Sequence, residues 1–163
     1  IVMVFQHTGV EYQNEPDEAT KERVEYLADL GVDVVIGTHP HVIRPYGMME
    51  RPDGKQMLVY YSLGNFVSGQ QGISQLLEGM ADMTFVKDPD TGEISIETYS
   101  MEPLVMHYEP GYSGYAVYPL EKYTEELAAA SGVHQETNED FSPESIQAYF
   151  EPYLKPQVFE RSE

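Results

Sequence analysis

The sequence holds 163 residues, with 28 acidic and 9 basic side chains, a formal net charge of −19 and no cysteine. That charge excludes nucleic acid as a partner and opposes broad attraction to an anionic polymer or membrane face, unless a metal ion reverses the sign locally. The missing cysteines exclude disulfides, thiolate metal ligands and a cysteine nucleophile.

The composition, 41% hydrophobic and 23% charged, is that of one globular domain with a real core. No run reaches the length of a membrane span, and no basic-then-apolar leader opens the chain. The first residue, Ile1, already lies inside a strand-like run. The chain is therefore expected to be the carboxyl-terminal piece of a longer protein, with any leader or anchor upstream.

Residues 1–6 are apolar enough for a buried strand, and His7-Thr8-Gly9-Val10-Glu11-Tyr12 follows as a loop. Pro16 and the acids around it predict a helix start. Val24, Leu27, Ala28 and Gly31 share one helical face, and Gly31 can stop the helix. Residues 33–37 predict the next strand, which empties into Thr38-His39-Pro40-His41. Strand, helix, strand in so short a span is a βαβ unit with parallel strands. Both carboxyl ends then share one sheet edge, where ligands of open α/β sheets bind. His7 is thereby brought to the same rim as His39 and His41.

Residues 45–51 and 56–62 predict a hairpin around Pro52-Asp53-Gly54. The second strand runs into Ser62-Leu63-Gly64-Asn65-Phe66. Residues 68–79, rich in glycine and glutamine, show no period and are expected to be a mobile loop. Residues 80–87 and 93–108 predict antiparallel strands around a turn at 88–92. Residues 111–115 form a tyrosine–glycine loop and 120–130 a helix. Residues 134–140 are a polar linker. Ser142-Pro143 opens a last short helix, which Pro152 and Pro156 end.

Imidazole ligates zinc, iron or nickel, so strand-end position alone makes His7, His39 and His41 candidate ligands. Each has a bland alternative as a loop residue bonded to backbone or water. Glu11 is a general base, an orienting partner or merely a solvated acid. Asn65 can donate to a bound oxyanion or simply bond its own turn. Arg44 can clamp a carboxylate or phosphate, although a surface ion pair is the simpler reading. His107 and His134 have no partner in sequence and read as structural or exposed.

Gly37-Thr38-His39-Pro40-His41-Val42 and Tyr61-Ser62-Leu63-Gly64-Asn65-Phe66, with the spacing between them, resemble the bacterial capsule synthesis proteins of the poly-γ-glutamate type, the CapA-like family. His7-Thr8-Gly9-Val10-Glu11-Tyr12 resembles that family's His-Trp-Gly-x-Glu-Tyr motif, with Thr8 where tryptophan is usual. The stretch from Tyr115 to Leu120 is similar to a motif near the family's domain end.

The resemblance covers residues 1–123 and implies the carboxyl-terminal part of such a domain, with residues 124–163 a helical extension. It implies an α/β fold, the carboxyl-terminal part of a layered α/β/β/α metallophosphoesterase-like sandwich: a βαβ unit, antiparallel strands, then helices. It also implies two divalent metal ions (zinc, manganese or iron) in the full domain, with His7, His39 and His41 as ligands; if such a site is active, Glu11 and Asn65 are the candidate catalytic residues, and Arg44 and Asn65 the candidate substrate-binding ones. The remaining ligands would belong to a missing amino-terminal half, so the piece alone is expected to be inactive.

The implied function is biosynthesis, export or anchoring of an anionic polymer at the bacterial cell surface, with membrane attachment upstream. A metal-dependent hydrolase acting on phosphoester or γ-glutamyl substrates is one form of it. A non-catalytic surface module that keeps the fold is the alternative. One sheet edge is expected to be open, for the missing half or for a homodimer.

Overall fold

A computed structural model describes residues 1–162. Eight strands form two sheets. The first contains β1 (Met3–His7), β2 (Val34–Thr38), β3 (Tyr46–Glu50), β4 (Gln56–Tyr60) and β8 (Gln157–Phe159), in the order β1-β2-β4-β3-β8. The second is an antiparallel meander of β5 (Leu77–Lys87), β6 (Ile94–Glu109) and β7 (Ser113–Pro119). The helices are α1 (Glu18–Asp29), α2 (Glu125–Ala130) and α3 (Pro143–Phe150). Among the described residues, no helix is long and apolar enough to cross a membrane.

The expected βαβ unit is present, and β1 and β2 pair in parallel from Met3 opposite Val34 to His7 opposite Thr38. Asp17 caps α1, its side chain accepting from the Thr20 backbone N–H. The helix buries Thr20, Val24 and Ala28. The hairpin of β3 and β4 also forms. Its inner strand, β4, then pairs in parallel with β2. Three parallel strands, β1, β2 and β4, thus end on the same edge. His7 is the last residue of β1, and the loops after β2 and β4 carry His39 with His41, and Asn65.

Alternation along the strands splits the core in two. Val35, Met57, Val59 and Tyr61 pack with Val24 and Ala28 of α1 on one face of the first sheet. Val34, Ile36, Leu58 and Tyr60 face the other way. They join Leu77, Met101 and Val105 of the second sheet and Ile146 and Phe150 of α3. The result is a mixed α/β fold in which the first sheet has α1 on one side and the second sheet on the other.

Four local expectations are corrected. The predicted helix over residues 120–130 is a 3₁₀ turn, Leu120–Lys122, followed by α2, because Thr124 caps a new helix by accepting from the Leu127 N–H. Residues 68–79 are not loop throughout. Ile73–Gln75 is a 3₁₀ turn, and β5 begins at Leu77, where burial of Leu76 and Leu77 overrides the missing period. Strand β7 begins inside the stretch expected to be a loop, and it is held by β6. Strand β8 lies in the expected helical extension but pairs in parallel with β3. A three-residue strand has no local signature, and its partner lies a hundred residues away in sequence.

Candidate metal centre

The loops after β1 and β2 are tied to each other by backbone hydrogen bonds. Thr8 N–H donates to Thr38 O at 3.1 Å, and Tyr12 N–H to Pro40 O at 2.8 Å. Gly37, the fourth residue of β2, lets the strand end come against β4, since a Cβ there would meet Tyr61 O at 2.1 Å. The chain then turns sharply, with φ of 102° at His39 and 61° at His41. Such conformations are costly for residues with a Cβ and persist where the surroundings over-determine them. Tyr12 and Phe66, at 61° and 68°, add two more beside the same rim.

The three histidines share that rim. The His7 and His39 rings lie 4.6 Å apart between centroids, and those of His39 and His41 lie 5.9 Å apart. The donors that converge most closely are those of Glu11, His39 and His41, one atom from each within 4.8 Å of the others. Glu11 Oε1 is 3.8 Å from His41 Nε2. The acid read as more simply solvated therefore stands among the imidazoles. His7 flanks the group, with Nδ1 3.2 Å from Thr38 Oγ1.

Asn65 sets the orientation of His41. Its Oδ1 lies 2.7 Å from His41 Nδ1, so the ring donates there and keeps its Nε2 lone pair for the side facing Glu11. The Asn65 Nδ2 group donates to Gln70 Oε1 and Gln75 O, each at 3.1 Å. Gln70 in turn donates to the Tyr12 hydroxyl at 3.2 Å, and the Tyr12 ring stacks on His41 at 5.9 Å. His41, Asn65, Gln70 and Tyr12 thus close a circuit. Both ends of the Asn65 carboxamide are engaged within the protein, its oxygen on His41 and its amide group on Gln70 and Gln75.

Arg44 is corrected outright. It is fully buried, neither a surface ion pair nor an open clamp. Its Nε donates to Gln13 O at 2.8 Å and its Nη2 to Val10 O at 2.9 Å, with Asp17 Oδ2 3.8 Å from Nη1. The carbonyls of the loop after β1 turn inward and need a donor. Burial lowers the arginine's affinity for its proton, while Asp17 and Glu15 raise it. His107 and His134 are structural: His107 Nδ1 is 3.0 Å from the buried Tyr123 hydroxyl, and His134 Nε2 is 2.9 Å from Ala128 O.

Two imidazoles and a carboxylate are donor types that suit zinc, iron or manganese, and a hydrogen-bonded partner on the ligand's second nitrogen is how such histidines are held. The chain's own groups therefore fit a divalent ion. Sequence reasoning missed Gln70, which sat in a stretch without a period, and the buried Glu78, which reads as an ordinary strand acid.

Residues 1–70 match the family model of the bacterial capsule synthesis protein PGA_cap. The chain is similar to the PGA biosynthesis protein CapA of Bacillus subtilis (strain 168), with 33% identity over 96 residues, which are 59% of this chain and 24% of that protein. It is also similar to the capsule biosynthesis protein CapA of Bacillus anthracis, with 37% identity over 70 residues, 43% of this chain and 16% of that protein. No solved structure matches. The resemblance carried by the His-Pro-His and Leu-Gly-Asn-Phe motifs is thereby borne out. Over residues 1–70 the chain is thus similar to the bacterial capsule synthesis proteins, and it spans a quarter or less of the relatives' length.

Proposed function

We propose that the rim formed by Glu11, His39 and His41, with His7 beside it, is part of a divalent-metal site in a capsule-biosynthesis-type protein. It would act at the bacterial cell surface on an anionic polymer, or on a phosphoester or γ-glutamyl compound related to one. The convergence of the three donors within 4.8 Å carries this reading. The family match and the printed names of the two relatives supply its biological direction. The helix–sheet–sheet layering supports the metallophosphoesterase-like sandwich for the longer protein.

The chain's own residues bind and orient. His41 presents Nε2 because Asn65 holds its other nitrogen, and Tyr12 stacking limits rotation of the ring. A bound zinc, manganese or iron ion would supply a Lewis acid able to polarise a phosphoryl or acyl oxygen. Beside Tyr12 opens a cleft lined by Gly69, Gln70, Gln71, Gly72 and Gln75, with no lysine or arginine. Its countercharge for an anionic substrate would have to come from the ion. This favours the metal-dependent reading over a module that binds a polyanion through its own cations.

The test is metal analysis of the intact natural protein purified without chelators. Bound divalent metal is expected in the wild type, and its loss in the His39→Ala plus His41→Ala variant. Unchanged metal content in that variant removes the ligand assignment. Retained metal without turnover of phosphodiester or γ-glutamyl substrates favours the non-catalytic surface module.

A further inference from the structure

Glu78, the second residue of β5, is fully buried, and neither of its carboxyl oxygens has a hydrogen-bond partner. It stands opposite Leu104 of β6. On its other side lies the loop after β4. A Cβ on Gly64 would lie 3.4 to 3.5 Å from the Cα, Cβ and Cγ of Glu78. Gly79 N–H donates to Leu63 O at 2.8 Å, fastening this loop to the strand. The Phe66 backbone N–H is the polar group that approaches the carboxyl, and no other acid or base bears on it.

The same loop holds Asn65 between Gly64 and Phe66, at φ of 79° and 68°. It therefore runs beside Glu78 at Gly64, is tied to the next residue of β5 through Leu63, and holds His41 through Asn65. A buried carboxyl without a partner is costly, and a neutral side chain of the same shape would be easier to accommodate. Such a group beside a candidate site invites a functional account.

We propose that Glu78 is the positioning residue of the Asn65 loop and makes it responsive to pH: as a neutral acid it seats residues 64–66, and loss of its proton releases them and the Asn65 contact that orients His41. Burial pushes the Glu78 carboxyl up to about 8. With the loop open and the carboxyl in water, it ionises near the ordinary 4.5. The closed form binds more protons, so its advantage is full below the lower value and is lost as pH rises through the upper one. Within that window each pH unit makes opening about tenfold easier, and above it the balance is level. The inference rests on the role of Asn65 described above but not on a bound ion.

The experiment is amide hydrogen exchange of the metal-free intact protein between pH 5 and 9, with rates divided by those of unstructured chain. The readouts are the amides of Gly64, Val67 and Gly79, all hydrogen-bonded in the closed loop. Protection in the wild type is expected to fall about tenfold per pH unit up to about 8 and then level off. In Glu78→Gln it is expected to stay flat. Flat protection in the wild type, or an equal fall in the variant, overturns the proposal.

If Glu78→Gln fails to fold, the Glu78 carboxyl carbon shift of the wild type decides. A midpoint near 8 supports the proposal, and one near 4.5 overturns it. Metal analysis is independent of either result, so the metal site and this loop can fail separately.

Discussion

Arg44 spends its guanidinium on the chain's own backbone, and the loop it holds carries Glu11. Val10 and Gln13 offer it their carbonyls from either side of that acid. Arg44→Met keeps most of the stem volume but leaves these buried acceptors without donors. The expected cost is about 2–4 kcal/mol in urea unfolding, since unpaired buried polar groups account for the large single-residue losses. Metal affinity should fall with it, because Glu11 loses its seat. A change under about 0.5 kcal/mol would mean that the arginine behaves as a surface charge after all.

At the scale of elements, the end of β2 decides where His39 and His41 begin. Gly37 is needed there for close approach to β4, where the nearest atoms are Tyr61 backbone and cannot rotate aside. Gly37→Ala is expected to spread β2 from β4, lower stability by about 1–3 kcal/mol, and displace the turn two residues later. A thermal melt and a zinc titration check both halves. A variant that melts lower yet binds zinc as well as the wild type would separate strand packing from the site.

At the scale of the molecule, the first sheet ends at β1, which among the described strands pairs on one side only. Phe5 is 71% exposed on it, with Val2 and Ile1 exposed nearby. An apolar edge of this kind invites pairing. The 163-residue chain is expected to self-associate through it despite the charge of −19, more strongly in salt, which screens the repulsion. Phe5→Lys should shift sedimentation toward monomer. Association unaffected by that change would move the contact elsewhere.

The sequence by itself determined the βαβ unit, the hairpin, and the rim where His7, His39 and His41 meet. These follow from short-range rules: apolar runs, a capped helix, turn residues and the direction of parallel strands. It also carried the likeness to the capsule synthesis proteins over residues 1–70, through motifs that local spacing makes legible. Only the tertiary structure decided that β4 lies beside β2, bringing Asn65 to His41, and that Glu11 joins the donors while Arg44 is buried beneath their loop. Strand order, the pairing of β8 with β3 and the isolation of Glu78 were equally hidden. Each depends on which distant surfaces exclude water together, and no local window of residues contains that information.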